Sequence, residues 1–553
     1  MFNYFLYFIL ITIFKIFSEF LFFTENSFDS SLPVEDNYDF IVVGSGSSGG
    51  LIATNLKGKV LLIEAGAYGS GVFFNIPIIQ PLLLRSKYDW KHETISQENS
   101  CKAMNGNKCF WPAGKILSGS HRLNNMIYHR GFKEDYENYV NGNLAEKLFE
   151  EVEKNIPVSE TNFKSKAGEA FIYGMKEIGF EVLDFNFTNL TQFYGKRYTQ
   201  FYNWHRKTSA PETILNAQVT KIIFKNKNAI GIEFIKNDKI HKIFGKKIIL
   251  SAGTIGSAKI LLHSGVGPKK HLEEMGIEII ENLPVGENLQ DHVTTNIDLM
   301  VAQKSENSIL DVCNPWKIIK YFWNGSGPMS LGGSDAMGFL KLQNSSITPD
   351  LSFIFLPVGI ADDFGIHLRK VLNFKDDLWE KFYKPLTGQS FATILPIILH
   401  PKSRGNLRLS SKNFNDPILI DPKYYEAKND IKIMIKAIRI IQKLIETSIM
   451  KEIGAELIPK SLPGCENFKF NSDDYWECYV RHLTLTMYHP VGTCKMGNYD
   501  ENSTVVLKNF QVKNLENLFV VDGSVLSNSP SANPHALISM LAMKFTNEMN
   551  KEH

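Results

Sequence analysis

Tyr38-Asp39-Phe40-Ile41-Val42-Val43-Gly44-Ser45-Gly46-Ser47-Ser48-Gly49-Gly50 decides the fold. Phe40 to Val43 is continuously apolar, as expected of a parallel strand buried on both faces. Gly44, Gly46 and Gly49 then form GxGxxG at the entry to a helix that begins near Ser48. In that pattern the first glycine permits the tight turn and the second lets backbone approach a pyrophosphate. The third lets helix pack on strand, and the helix N-terminus faces the phosphates. The next apolar run, Val60-Leu61-Leu62-Ile63, ends in Glu64, an acid placed to accept hydrogen bonds from both adenosine ribose hydroxyls. A lone GxGxxG is a weak signal; strand, turn, helix, strand and terminal acid in order specify a dinucleotide site.

Working outward, Ala217 to Phe224 and Ala229 to Phe234 read as a hairpin across an Asn/Lys turn. Lys247 to Gly253 is another strand, feeding a glycine turn and a helix at Thr254 to Ser257, and Phe519-Val520-Val521-Asp522-Gly523 reads as a late buried strand. Residues 301–485 lack this rhythm: they hold alternating strands, prolines and a long amphipathic run from Ile431 to Ile445. The expected fold is α/β with α+β insertions. A Rossmann-like dinucleotide domain occupies residues 37–300, and a substrate domain on a mostly antiparallel sheet occupies 301–485. Residues 486–553 return to the first domain and close with a helix from Ala536 to Met549.

Composition excludes several classes. The chain has 553 residues, and Lys+Arg 60 against Asp+Glu 58 leaves a net charge of +2, so no bulk field points to nucleic acid or an anionic membrane. Met1 to Phe14 is almost wholly apolar, too short for a membrane span of roughly 20 residues and suited to a signal-peptide core. Residues 1–23 are therefore read as a signal peptide, with an uncleaved anchor as the rival, and the protein as secreted, without stable membrane insertion. Sequons at Asn186, Asn189, Asn324, Asn344 and Asn502 lean the same way. Cys101 and Cys109 flank a turn-like stretch, and Cys465 and Cys478 a polar, aromatic one; both spacings suit local disulfides in an oxidising compartment. Cys313 and Cys494 are left over, expected free and buried. Neither cysteine pair has a finger-type arrangement of histidines, so no metal is expected.

Far down the chain, Tyr488-His489-Pro490-Val491-Gly492-Thr493-Cys494-Lys495-Met496-Gly497 sets a histidine in a tight loop. A dinucleotide site at one end and this loop at the other suggest redox chemistry with a histidine beside the cofactor. Two longer segments, Gly114 to Gly131 and Ser251 to Pro268, together with Val285 to His292, complete a pattern. With them the chain resembles the glucose-methanol-choline (GMC) oxidoreductases, particularly their secreted animal branch of FAD- and quinone-dependent glucose dehydrogenases, from about Asn37 to Phe545.

The resemblance implies FAD as cofactor, held by Gly44, Ser45, Gly46, Ser48, Gly49, Glu64, Gly119, Asn124, Met126, Val219, Asp522 and Gly523. It implies oxidation of an alcohol, with oxygen or a quinone taking the electrons. His489 matches the family's active-site histidine, and its imidazole is suited to accept a hydroxyl proton near neutral pH. The partner position, His or Asn in the family, falls within Ser531-Ala532-Asn533-Pro534-His535-Ala536, where His535 is the expected match, so that two imidazoles face one hydroxyl. Departures stand at Ser118 and His121, where the family has small residues packed against the cofactor, and at Ala258, where it has proline. Leu123 holds the place at which some relatives attach flavin through histidine, so FAD is expected to be non-covalent. An FAD-containing hydroxynitrile lyase and a catalytically degenerate FAD-binding protein are the alternatives. The substrate is not legible.

Overall fold

The computed structural model describes residue 29 and residues 37–69, 72–179, 183–201, 211–302, 312, 314–343 and 346–552. The expected leader, Cys313 and Asn344 lie outside the described residues. Among the described residues no helix is long and apolar enough to cross a membrane.

Strand β1 (Tyr38–Val43) forms where the apolar run predicts it. Ile41 and Val42 are fully buried, as are Leu61 and Leu62 of β2 (Val60–Ile63), each such side chain stabilising the fold by about 1.5–3 kcal/mol. The chain cannot continue straight from β1 because Gly44 turns at φ +95, with its backbone against the Ser251 carbonyl. Helix α1 (Gly49–Asn55) follows, and a Cβ on Gly49 would meet the Gly44 carbonyl oxygen at 1.9 Å. Only hydrogen fits at that crossing.

The first sheet runs β4-β5-β6-β1-β2-β3, with β3 (Glu212–Ile214), β4 (Gln218–Lys225), β5 (Asn228–Lys236) and β6 (Lys239–Leu250); β7 (Leu518–Val520) also pairs β6. Pairings among β1, β2, β3, β6 and β7 are parallel; β4-β5 and β5-β6 are antiparallel. The twelve-residue β6 does two jobs: Lys239–Phe244 pairs β5, and Gly245–Leu250 pairs β1. The C-terminal ends of β1, β6 and β7 thereby lie together, followed by the Gly44 turn, the helix α2 (Gly253–His263) and Asp522.

A second sheet of eight strands is antiparallel throughout its pairings, running Glu456–Leu457, Ile297–Met300, Phe391–Ile398, Leu351–Leu356, Ala336–Leu340, Leu183–Phe187, with Val293–Thr294 joining Phe391–Ile398 to Leu485–Thr486. Helix α3 (Lys428–Ile445) packs its buried face, including Met434, Ile438 and Ile441, against this layer. The antiparallel sheet begins earlier than the sequence boundary at residue 301. Leu183–Phe187 and Val293–Met300 belong to it, because pairing partners about ninety or more residues away decide which sheet a short apolar run joins. Helix α4 (Asp473–His482) leads into Leu485–Thr486, and α5 (His535–Glu552) returns to lie against α1.

Candidate active site

The dinucleotide turn is cross-braced by its own side chains. Ser45 donates to Glu64 Oε2 through its backbone N–H at 2.9 Å and its hydroxyl at 2.6 Å, and Gly66 N–H donates to Oε1 at 2.8 Å. Burial raises the Glu64 pKa, a rise that the Ser45 bonds oppose. A carboxylate offers about four lone-pair sites, so Glu64 keeps acceptor capacity for the ribose hydroxyls expected of it. Ser48 points its hydroxyl at the Val521 carbonyl and so ties the turn to β7, leaving its side chain committed within the protein.

Four separated stretches converge here. A Cβ on Gly119 would stand 2.9 Å from Gly46 Cα, and Ser118 N–H donates to the Ser45 hydroxyl at 3.0 Å. Asn124 Oδ1 accepts from Met126 N–H at 3.0 Å and from Arg197 at 2.8 Å, holding fully buried Met126 at φ 62. Asp522 accepts from Gly253 N–H at 2.9 Å and Ser257 at 2.6 Å on one oxygen, and from Ser524 on the other; burial raises its pKa. Gly523 sits where a Cβ would press on the Thr254 hydroxyl at 2.9 Å. Val219 is buried in β4 opposite Phe234, beside a register shift.

These residues fit a dinucleotide: a Cβ built on Gly46 meets nothing within 4 Å, so the phosphate turn faces open space at the position where backbone must approach a pyrophosphate. The departing side chains are accommodated sideways. Ser118, in the left-handed region at φ 77, donates to Thr199 at 3.1 Å. The fully buried His121 bonds Gln200 Oε1 through Nδ1 at 2.9 Å and Thr191 through Nε2 at 3.1 Å. Gln200 Nε2 in turn donates to the Gly46 carbonyl at 2.8 Å, so His121 braces the turn from behind.

At the catalytic loop, Asp291 is buried beneath His489 and accepts its backbone N–H at 2.9 Å, together with the hydroxyls of Thr486 and Tyr424. His489 Nδ1 lies 2.9 Å from His292 Nδ1, and His292 Nε2 lies 2.9 Å from the Pro530 carbonyl. A carbonyl oxygen only accepts, so His292 carries its proton on Nε2 and presents a bare Nδ1. His489 therefore carries its proton on Nδ1, and its Nε2 is a lone pair. Burial holds both rings neutral: the His489 pKa lies well below its usual value, and that of His292 falls to about 3. The amide of Asn533 donates to His489 Nε2 at 3.0 Å.

The structure adds a neighbour of His489 that the sequence expectation did not single out. The side chain beside His489 is Asn533, and His535 instead packs its ring 4.2 Å from that of His121. Helix α5 starts at His535, whereas Asn533 precedes Pro534 in the non-helical approach. Neither His535 ring nitrogen has a hydrogen-bond partner among the described residues, and burial lowers its pKa to about 4. Sequence reasoning passed over Asn533, His292 and Asp291. The signals were present, since an Asn-Pro pair stood at the expected position and His292 closed a family-like segment.

Both expected disulfides form, with Cα–Cα distances of 5.7 Å for Cys101–Cys109 and 5.8 Å for Cys465–Cys478, and Cys494 is free and buried.

Comparison with known proteins gives consistent matches. Two models described as GMC oxidoreductase match residues 38–294 and 401–542. The chain is 32% identical to a glucose dehydrogenase [FAD, quinone] of Drosophila melanogaster, over 92% of this chain and 86% of that protein. It is 31% identical to an alcohol dehydrogenase [acceptor] of Pseudomonas putida, over 91% of this chain and 94% of that one. Among solved structures, pyridoxine 4-oxidase from Mesorbium loti superposes with a TM-score of 0.78 at 23% identity, covering 94% of this chain and 100% of that one.

Proposed function

The chain belongs to the GMC oxidoreductase family, an FAD-dependent oxidoreductase acting on CH–OH substrates, and on that premise we propose that His489 is its catalytic base. The observation that carries this reading is the tautomer chain from Pro530 through His292, which leaves a lone pair on His489 Nε2. FAD, when bound, supplies the acceptor for the substrate's hydride. Gly44, Gly46, Gly49, Glu64, Gly119 and Asp522 would hold it, and Leu123 at the attachment position makes that binding non-covalent.

The protein's own part is positional and protolytic. A substrate hydroxyl entering between Asn533 and His489 gives its proton to His489 Nε2, while the Asn533 amide donates to the hydroxyl oxygen and fixes its direction. His489 becomes cationic where desolvation disfavours the charge, and His292 Nδ1 keeps the Nδ1–H in place throughout. Asp291 holds the backbone from which the ring projects. His292 and Asp291 act through His489 and are positioning residues.

For the electron acceptor we favour a quinone-class oxidant over oxygen, because two relatives above 30% identity are named for a quinone or an unspecified acceptor. Secretion is part of the same proposal. It is supported by two disulfides and by exposed asparagines in the sequons at Asn186, Asn189, Asn324 and Asn502; a mass shift on enzymatic deglycosylation of protein from a secreting host tests it.

The reaction is tested by anaerobic mixing of the flavin-loaded protein with a panel of alcohols. Bleaching of the flavin bands by at least one, followed by faster recovery with an artificial quinone than with oxygen, is the expected result. Cyanide release from cyanohydrins without bleaching overturns it in favour of a lyase.

A further inference from the structure

Outside the active site, Cys478 and His482 lie four residues apart on α4, hence on one face, and the preceding loop brings Cys465 against both. His482 Nδ1 is 3.5 Å from Cys465 Sγ and 3.5 Å from Cys478 Sγ, and the three ligand-type atoms lie within 4.8 Å of one another. Tetrahedral zinc, with bonds of about 2.3 Å to sulfur and about 2.0–2.1 Å to nitrogen, has a sulfur–nitrogen edge of about 3.5 Å. Both edges to His482 already have that length. Only the sulfur–sulfur edge is wrong, because those atoms share a covalent bond.

Access also suits an ion. Cys478 and His482 are half-buried rather than sealed, whereas Cys101 and Cys109 are both buried. Among the described residues no other three histidine, cysteine or acidic side chains converge in this way. In the disulfide state Nδ1–H donates to the Cys478 carbonyl at 2.8 Å, so ligation moves the ring proton to Nε2.

We propose that Cys465, Cys478 and His482 form a redox-gated site for a thiophilic divalent cation of the zinc or cadmium class. An external dithiol or phosphine breaks the Cys465–Cys478 bond, delivering two electrons while it is itself oxidised, and two protons complete the thiols. The cation then binds both sulfurs and His482 Nδ1, with the two thiol protons passing to solvent and water completing the coordination. The oxidised protein has a crosslink where the reduced one has a metal clip, so the loop at Cys465 stays fastened to α4 in either state.

The test uses the full-length, flavin-loaded protein, reduced with a water-soluble phosphine and mapped by alkylation. Cd2+ is then titrated in, and its sulfur-to-metal charge-transfer absorption recorded. The expected result is no band before reduction and, after it, binding that saturates near one Cd2+ per chain. His482→Ala and His482→Gln should each weaken binding by at least the roughly 10–100-fold typical of losing an outer-shell partner; the glutamine variant guards against collapse of the helix end. Cys101→Ser/Cys109→Ser should bind as wild type. The proposal is overturned by a bridge that stays closed in the folded protein, by opened thiols that give no band, by wild-type affinity in both His482 variants, or by a band that vanishes with the Cys101–Cys109 pair.

Discussion

The phosphate turn and the catalytic loop solve opposite problems. The turn is built by subtraction. Gly44, Gly46, Gly49 and Gly119 are places where a side chain is missing so that backbone can come close, as Gly44 does to Ser251 and Gly119 to Gly46. The loop is built by convergence. His489, His292 and Asn533 each supply a specific atom, and about two hundred residues separate His292 from His489. A turn made of absent atoms should tolerate nothing added, whereas a loop made of present atoms should survive truncation as structure and fail as chemistry.

The sharpest way to break that contrast is to reverse it. Gly49→Val places carbon where Gly44 leaves no room, beyond the ~1–3 kcal/mol usual for overpacking, and is expected to abolish both flavin retention and cooperative folding. Thermal melts and flavin absorbance read it, and a flavin-loaded variant would show that the crossing can open. His489→Ala should instead melt like wild type with FAD bound while flavin reduction falls by roughly 100-fold or more, measured by stopped-flow under anaerobic conditions. Loss of flavin in that variant would make the loop as structural as the turn.

His292→Ala separates positioning from catalysis. A roughly 10-fold slower reduction is expected, short of the 100-fold or more for the base itself. The pH profile carries the diagnostic. Wild-type reduction should stay flat through pH 6–8, because burial and His292 hold the His489 pKa well below 6.5. Removing His292 removes one of the two causes, so the acid limb should move up. An unmoved limb would leave His292 a mere packing residue.

Smaller effects test the partner assignment. Asn533→Ala forfeits one hydrogen bond of about 0.5–1.5 kcal/mol, a few-fold to about tenfold in rate, whereas His535→Asn should leave the reduction rate near wild type. The reverse order would restore His535 as the partner of His489.

Stability should show a gentler pH dependence set by the antiparallel layer. Burial raises the pKa values of Asp298 and Asp335 to about 6 and that of Asp362 to about 7, from 3.8. These three carboxyls bind more protons folded than unfolded between pH 4 and 7, so the stability they contribute is lost as pH rises, while buried histidines such as His292 and His535 contribute the opposite slope up to about pH 6.5. Asp298→Asn should remove the falling contribution of that carboxyl, making the slope of melting temperature against pH more positive between pH 4 and 6; an unchanged slope would assign the dependence elsewhere.

Much of this molecule was legible because its cues were local. β1, the Gly44 turn and β2 follow from an apolar run, three glycines and an acid, each readable without knowing any partner. The two disulfides were legible for the same reason, since each closes a loop of 8 or 13 residues. The pairing of His489 was not. Asn533 and His535 lie two residues apart, and the choice depended on where α5 begins and which way its first turn faces. The Cys478–His482 spacing was visible on the page, yet the contact needs Cys465 brought round by a loop.

The sequence by itself determined the dinucleotide turn and the α/β class, because strand burial, glycine geometry and helix entry act over a few residues. Tertiary structure alone decided which strands joined the antiparallel sheet, which nitrogen of His489 is free, and which side chain faces it. Those outcomes depend on hydrogen-bond partners from 44 to 238 residues away, and a ring's tautomer is settled by what the far end of its chain can accept. For His489 that far end is the carbonyl of Pro530.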